Sequence, residues 1–408
     1  MAWPGDVRWP RRPEQLLRLA RDQAALILAV AIGAGLVIPS IPCVSLCYYF
    51  LVLPACAANL WRNRVWQKTH AEALLATALI IWFTAGIIID RGAGANPGSD
   101  VLWLWNGLCT LVFVRAGLHF FGAPGADRER LVSILIWCGI VNSAWSIARF
   151  HLSGGMPDRM EGWGITRLPI LGASVIGVCV LLALSRLLSG RQRSLCFLSI
   201  ALGLLFIWFT GSRGPLIAVT VSLFFMIAVW RRPWAVAIAA AILVAFGILA
   251  GVCESCATDI WSHFFNRGWS NRLEIWQMTL DQVSQRPFFG YGPAARLPRP
   301  TDNFPHNLFL STLFYSGLIG LVLLVSLLGH GLWRNWSAPD RLARAAGLYL
   351  LLSIVQAGMT DLSAITKGPS PIWYIVWLPW ILSGPLHRPA VTAAACPGSS
   401  ARAGPAPP

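Results

Sequence analysis

The chain is poor in charged residues. Asp, Glu, Lys and Arg account for only 12% of its 408 residues, whereas apolar residues account for 56% and the mean hydropathy is +0.61. Soluble domains carry about 25% charged residues on average, so this composition excludes an ordinary water-soluble globular protein. We predict a membrane protein.

The chain also lacks the short signatures of several enzyme classes. It has no P-loop and no Gly-x-Ser-x-Gly element, which argues against a nucleotidase of the P-loop type and a serine hydrolase of the α/β type. On the side of the membrane where the polar residues discussed below gather, it has neither an Asp-x-Asp motif nor a His, Asp and Glu cluster suited to a metal ion. We therefore expect no bound metal and no cofactor.

What the sequence does contain is a series of long apolar runs. About 20 residues of α-helix cross about 30 Å of hydrocarbon, because each residue adds about 1.5 Å. Runs of this kind predict an all-α polytopic membrane protein with about twelve transmembrane helices. They lie near 23–39, 42–60, 71–90, 101–121, 131–151, 168–188, 195–210, 213–230, 234–252, 306–329, 346–364 and 371–385.

The net charge of +15 is spread over the connections between these runs, and this argues against a nucleic-acid partner. Arginine-rich connections alternate with arginine-poor ones, so the positive-inside rule predicts that the rich ones and both termini are cytoplasmic. The outer connections are short except for 152–167 and a long loop at about 253–305. The first 23 residues are too charged for a signal peptide, and we expect the first run to be a retained helix.

We predict one transmembrane domain over 1–388, which includes the periplasmic loop at about 253–305. Residues 389–408 are rich in Ala, Pro, Gly and Ser and predict a disordered cytoplasmic tail. Most cysteines lie inside apolar runs, where a thiol is a small filler. Cys253 and Cys256 would face the oxidising side, where a local disulfide and two free thiols are both open alternatives.

A first polar site is the sequence TGSRGP between two apolar runs. Gly211 and Gly214 permit a tight turn around Arg213, and Pro215 suits the first turn of the following helix. The turn would place a guanidinium at the outer rim of the membrane. The alternative is a plain hairpin whose arginine extends to the interface.

A second polar site lies in the long outer loop. Apolar residues at Leu273, Trp276, Leu280 and Val283 recur at helical spacing, and polar residues occupy another face, so the stretch predicts an amphipathic helix. Arg272 falls in its first turn, where free backbone N–H groups and the helix dipole favour an anion. The alternative is a helix on the lipid surface whose arginine contacts lipid phosphate.

A third polar site is the sequence DNFPHNLFL, which precedes the run at 306–329. Asn303 is the predicted N-cap, so His306 would lie at the outer mouth of the helix. Because a helix N-terminus disfavours a positive charge, we expect a neutral imidazole that can accept a proton, with Asp302 available to orient the ring. The alternative is a histidine that only caps the helix.

Two arginines and a histidine at one rim suit transfer of a group from a lipid diphosphate. Guanidinium groups bind diphosphate oxygens bidentately and stabilise the charge on a departing phosphate. A nearby histidine can take the proton of an attacking hydroxyl. In the absence of a metal motif, the arginines would replace the divalent cation that many sugar transferases use.

The order of four motifs resembles that of the membrane superfamily of O-antigen ligases and O-antigen polymerases. The motifs are GSRGP, NRLEIW, RPFFGYG and HNLFLSTLFYSGLIGL. The resemblance covers roughly residues 200–330 by motif and the whole chain by topology. It implies a GT-C type membrane fold and an active site on the periplasmic face of the bacterial inner membrane.

The resemblance also implies an activity. O-antigen ligases take a glycan from undecaprenyl diphosphate and join it to lipid A-core with inversion, and they need neither nucleotide sugar nor metal. Their essential residues correspond to Arg213, Arg272 and His306 here. The resemblance and the outer location add further candidates for substrate or headgroup contacts, each with interfacial anchoring or local structure as the alternative: Arg149, Arg267, Arg286, Arg296, Arg299, Asp302 and Asn307. Arg115, deeper in its run, would form a structural pair or extend toward the cytoplasm.

Three other functions remain open at this stage. An O-antigen polymerase would use the same donor with a lipid-linked glycan as acceptor, although polymerases often carry two large arginine-rich loops and 152–167 is short. A lipid-linked glycan flippase would explain many helices without catalysis, but it predicts charges lining a midplane cavity. A scaffold in envelope assembly would leave the rim residues replaceable. We favour the ligase.

Overall fold

The structure is a computed structural model that describes residues 13–67, 70–89, 97–123, 125–154, 159–230, 272–299, 304–337, 341–360 and 362–383. In these ranges all regular secondary structure is helical. The helices are α1 (Pro13–Val37), α2 (Ile41–Cys47), α3 (Leu53–Arg62), α4 (Ala71–Ile89), α5 (Pro97–Phe121), α6 (Ala126–Leu152), α7 (Pro169–Leu188), α8 (Arg193–Phe209), α9 (Arg213–Trp230), α10 (Arg272–Gln285), α11 (Leu308–Trp336), α12 (Arg341–Thr360) and α13 (Leu378–Leu382). One π-helical turn, Tyr48–Val52, joins α2 to α3, and another, Trp373–Trp377, precedes α13.

The predicted apolar runs coincide with helices wherever the structure describes them. Only 234–252 lies outside the described residues, together with Cys253, Cys256 and the tail at 389–408. By length and composition, seven helical segments of the described part could cross a membrane, and the apolar helices around α8, α12 and α13 are shorter. The protein is therefore a multi-pass membrane protein. The total of twelve spans stays a prediction.

Two ion pairs between helices lie at one end of the helical body. Glu72 at the start of α4 pairs with Arg334 at the end of α11, with 3.1 Å between oxygen and nitrogen. Glu129 near the start of α6 pairs with Arg186 at the end of α7 at 2.7 Å. These contacts bring together the helix ends that the arginine pattern assigns to one side of the membrane. That this side is cytoplasmic remains a prediction.

Arg115 has a structural partner near the same connections. Its guanidinium donates to the carbonyl of Val65 at 2.7 Å and lies 5.1 Å from the ring centroid of Trp66. Of the two expected roles, the contact favours the structural pair.

The opposite end is organised around the connection between α6 and α7. The amide nitrogen of Asn142 donates to the carbonyls of Leu36 (2.5 Å) and Trp163 (3.0 Å), and its oxygen accepts from the Thr166 hydroxyl at 3.0 Å. Met160 and Ile165 are buried. The described part of this connection is therefore packed into the end of the helical body that carries the predicted site.

Helix α11 is broken at Gly317. This residue has φ 65° and ψ −168°, a backbone conformation available almost only to glycine. The loop that follows α10 packs into the break, because a Cβ on Gly317 would collide with the carbonyl of Phe288 and a Cβ on Gly290 would lie 2.7 Å from the Gly317 nitrogen. Two glycines thus let two backbone segments approach without side chains between them.

The inserted loop replaces the helical hydrogen bonds that the break removes. The N–H of Leu318, whose helical partner would be Phe314, donates instead to Pro287 at 2.8 Å. The carbonyl of Phe314 accepts from Tyr291 at 2.9 Å, and that of Tyr315 accepts from Gly292 at 2.9 Å. From α4, the indole N–H of Trp82 donates to the carbonyl of Ser316 at 2.9 Å. Backbone groups at membrane depth are therefore satisfied despite the break.

We expect Gly317→Ala to destabilise the protein by about 3 kcal/mol or more. The backbone conformation alone costs a non-glycine residue about 1–3 kcal/mol, and the added methyl group must also displace the Phe288 carbonyl. The midpoint of thermal unfolding of the purified protein in detergent measures the effect.

Gly329→Ala is the matched control, because Gly329 lies on the same helix and a Cβ there meets nothing within 4 Å. Alanine should stabilise that position by about 0.5–1 kcal/mol. Equal midpoints for the two variants would contradict the role assigned to Gly317.

Candidate functional site

The Arg213 turn, residues 210–213, has the tight geometry that its glycine predicts. Helix α8 ends at Phe209, and Thr210 and Gly211 still donate their N–H groups to the carbonyls of Phe206 (3.1 Å) and Trp208 (2.8 Å). Gly211 then adopts φ 58°, and α9 begins at Arg213. The turn thus starts a new helix with a guanidinium on its first residue.

The helix predicted in the outer loop is α10, and it begins at Arg272 as expected. Its buried face coincides with the apolar spacing of the sequence only at Val283: Ile275, Thr279 and Val283 are buried, whereas Leu273 and Leu280 are about half exposed. Packing against α11 selects the Ile275 stripe, which hydrophobicity alone did not distinguish. Leu273 and Leu280 lie on the exposed side of α10, which agrees with the alternative of a helix on the lipid surface.

Trp276 joins α10 to the start of α11. Its indole N–H donates to the carbonyl of Pro305 at 3.1 Å. Arg272 precedes Trp276 by four residues and so lies on the same helix face, about 6 Å away along the axis. The contact brings the first turn of α10 to the segment that carries His306.

The predicted N-cap of α11 was wrong by one turn. The helix begins at Leu308, and the N-cap is Asn307, whose side-chain oxygen accepts from the N–H groups of Phe309 (2.9 Å) and Leu310 (3.1 Å). Asn303 lies outside the described residues. Asn307 caps better because its side chain reaches the second and third N–H groups of the helix that actually forms.

His306 therefore lies just outside the helix, one residue before the cap. It adopts φ 51°, an uncommon left-handed conformation for a residue other than glycine. Its ring is half-buried and contacts Phe304 edge-on, with 6.5 Å between the ring centroids. A strained residue at a helix mouth is typical of functional sites.

The end of α12 lies beside the start of α9 and the start of α11. On one side, Pro215 and Ala357 line the same cavity. On the other, a Cβ on Gly358 would lie 3.1 Å from Leu308, and the Asn307 amide is 3.8 Å from the Met359 sulfur. Packed helix axes are about 8–10 Å apart, so α9 and α11 both begin beside one helix end.

The secondary candidates have the following positions. Arg149 donates to the carbonyls of Glu161 (3.3 Å) and Gly162 (3.4 Å) and stacks on Trp163, whose ring centroid is 5.4 Å away. These contacts favour a structural role for Arg149. Arg267 and Asp302 lie outside the described residues.

The remaining loop arginines contact aromatic rings or carboxylates of the protein. Arg286 lies 4.9 Å from the ring centroid of Tyr291, and Arg296 lies 4.6 Å from that of Phe304. Arg299 pairs with Glu274 at 3.8 Å. Among these arginines, Arg296 contacts the ring of Phe304, which in turn contacts the ring of His306.

Sequence reasoning missed Arg159. Its Nε donates to the carbonyl of Thr210 at 2.8 Å, and its terminal nitrogen donates to the Ser212 hydroxyl at 2.9 Å. The only signal in the sequence was a basic residue in an outer connection that otherwise has few. The contact made by Trp276 was also missed, since the sequence showed this residue only as one of the apolar residues at helical spacing.

Metal ligands do not gather among the described residues. No group of three or more His, Cys, Asp or Glu side chains is close enough there to hold a metal ion. Cationic side chains dominate the site instead.

Comparison with known proteins confirms the resemblance that the motifs indicated. Residues 198–325 match the family model described as O-antigen ligase, a segment that includes Arg213, Arg272 and His306. The chain is also 31% identical over 255 residues to an O-antigen ligase of Pseudomonas aeruginosa. That match covers 60% of this chain and spans 60% of the length of the relative.

We expect Asn307→Ala to cost about 0.5–2 kcal/mol of stability, because two N–H groups at the start of α11 lose their acceptor. Asn307→Ser keeps a capping oxygen without the amide and should retain most of the stability. Thermal unfolding and hydrogen exchange at Phe309 and Leu310 measure the loss. A serine variant as unstable as the alanine variant would show that capping is not the reason.

Proposed function

We propose, from the match of residues 198–325 to the O-antigen ligase family, that this protein is an O-antigen ligase of lipopolysaccharide biosynthesis. In this proposal it is a glycosyltransferase of the inner membrane. It transfers a glycan from undecaprenyl diphosphate to a hydroxyl of lipid A-core on the periplasmic face. Transfer proceeds with inversion and without a metal.

The observation that carries the proposal is the meeting of three chain segments at one end of the helical body. The starts of α9 and α11 both lie beside the end of α12, and α10 is tied to the start of α11 through Trp276. The segments come from distant parts of the chain. Two guanidiniums and one imidazole in one site would suit transfer from a lipid diphosphate.

The two arginines bind the diphosphate of the donor. Both occupy the first turn of a helix, where backbone N–H groups and the helix dipole add to the positive charge. A guanidinium stays protonated and contacts two phosphate oxygens at once. The arginines thereby stabilise the charge that develops on the diphosphate as the glycan leaves.

His306 serves as the base. The acceptor hydroxyl attacks the anomeric carbon from the face opposite the diphosphate, and its proton passes to the imidazole. The new glycosidic bond forms as the bond between the anomeric carbon and the diphosphate oxygen breaks. The lipid diphosphate departs with the bonding electrons, and the configuration at the anomeric carbon inverts.

A polymerase would use the same site with another acceptor. The described part of the connection between α6 and α7 is short and packed against helix ends, so no second large arginine-rich loop is found there. This favours the ligase. The acceptor decides between the two, and a deletion strain reveals it: loss of a ligase leaves polymer on the carrier lipid and bare core, whereas loss of a polymerase leaves single repeats on the core.

We expect Arg213→Ala, Arg272→Ala and His306→Ala each to abolish glycan transfer without reducing membrane insertion. Removing one preorganised charge contact of this kind costs about 10²–10³ in rate. Complementation of the deletion strain, followed by transfer assays with purified protein, undecaprenyl-diphosphate glycan and lipid A-core, measures the effect. The product linkage, read by NMR, tests the inversion.

Arg193→Ala and His70→Ala are the matched controls, because both side chains are exposed and lie on the opposite side in the predicted topology. They should transfer glycan at the wild-type rate. Near wild-type transfer by all three site variants would reject the proposed site.

We also expect transfer to continue in EDTA, because the arginines supply the charge that a divalent cation supplies in many sugar transferases. Rates of the purified enzyme with and without EDTA, and after addition of Mg²⁺, measure this. A rate that falls in EDTA and returns with Mg²⁺ would contradict the metal-independent mechanism.

A further inference from the structure

Arg159 spans from the connection between α6 and α7 to the Arg213 turn. Its Nε donates to the Thr210 carbonyl at 2.8 Å and its terminal nitrogen donates to the Ser212 hydroxyl at 2.9 Å. Beside it, the N–H of Met160 donates to the carbonyl of Phe209 at 3.1 Å. Three hydrogen bonds therefore join two segments that are about fifty residues apart in sequence.

The acceptors of Arg159 are groups that need a partner. Thr210 is the C-cap of α8, where the last carbonyls have no helical N–H and carry the negative end of the helix dipole. Thr210 and Ser212 are both buried, at 0% and 2% exposure. A guanidinium satisfies these groups with charge-assisted hydrogen bonds, which are about twice as strong as neutral ones.

The two bonds fix the backbone immediately before Arg213. Thr210 and Ser212 flank Gly211, whose φ of 58° reverses the chain and which has no side chain to restrain it. The carbonyl of Ser212 accepts the first helical bond of α9, from Leu216 at 3.3 Å. Holding both neighbours of Gly211 therefore sets where α9 begins and where its first side chain lies.

The geometry points to Arg159 as a positioning residue for Arg213, and this inference rests on the proposed function. Arg159 binds the turn, the turn fixes the start of α9, and Arg213 is thereby held where it binds the donor diphosphate. Arg149 offers a contrast, since it donates to the carbonyls of Glu161 and Gly162 within the connection and stacks on the ring of Trp163. Arg159 alone of these two reaches the turn.

Hydrogen exchange of the full-length protein in detergent tests, without any substrate, whether the two bonds from Arg159 hold the Arg213 turn. We expect the peptide covering residues 206–216 to exchange about tenfold faster in Arg159→Gln, because both bonds to the turn are lost. Ser212→Ala removes the Arg159 bond to the hydroxyl and the long 3.5 Å bond from that hydroxyl to the Thr210 carbonyl. It should give a smaller increase than Arg159→Gln, because the Arg159 bond to the Thr210 carbonyl remains. Arg159→Lys, which can restore one contact, should be intermediate.

Transfer kinetics test the consequence. A displaced contact to the reacting group costs about tenfold to a hundredfold, so kcat/KM for the donor should fall by that factor in Arg159→Gln while KM for lipid A-core is unchanged. Arg167→Gln is the control, because Arg167 lies in the same connection with a side chain 74% exposed and pairs only loosely with Glu161 at 3.6 Å. It should change neither readout.

The outcomes separate the two claims. Unchanged exchange at 206–216 in Arg159→Gln would show that Arg159 does not hold the Arg213 turn. Faster exchange with undiminished transfer, in an enzyme that Arg213→Ala inactivates, would overturn the positioning role alone. Full transfer by Arg213→Ala would reject the proposed function of Arg213 and the positioning role with it. If the glutamine variant does not fold, Ser212→Ala and Arg159→Lys decide between these outcomes.

Discussion

The broken helix α11 is the constraint on which the half of the molecule that carries the candidate site depends. A helix that loses its regular bonding at membrane depth exposes backbone groups that hydrocarbon cannot satisfy. Here Leu318 donates to Pro287, and the carbonyls of Phe314 and Tyr315 accept from the inserted loop. The loop after α10 is consequently part of the transmembrane packing, although sequence places it outside the apolar runs.

This insertion sets the position of the candidate site. Because backbone hydrogen bonds hold the inserted loop to α11, the end of α10 is attached to the helix whose start carries His306. Trp276 adds a second attachment near the opposite end of α10, through the Pro305 carbonyl. Both attachments join α10, which begins with Arg272, to the segment that carries His306. This arrangement suits two groups assigned to the same reaction.

Helices α4 and α11 are connected at two positions along their length. Near the break, Trp82 donates to the Ser316 carbonyl, and Gly86 allows close approach of Gly292, whose Cα would lie 3.2 Å from an added Cβ. At the other end, Glu72 pairs with Arg334, a side chain that is only 8% exposed. A buried arginine left without its carboxylate is costly, so the pair fixes the register of these two helices.

The sequence by itself determined the class of protein, the helix positions in the described part, and the segments that carry Arg213, Arg272 and His306. Hydropathy, turn glycines and helix periodicity are local properties, so they can be read without the fold. Tertiary structure decided what depends on contacts between distant segments: the break at Gly317, the buried face of α10, the cap at Asn307 and the contact of Arg159 with the Arg213 turn. The physical reason is that the break, the buried face and the Arg159 contact are fixed by hydrogen-bond or packing partners far away in the chain. The Asn307 cap is a local bond, but it depends on which residue begins α11 in the folded protein.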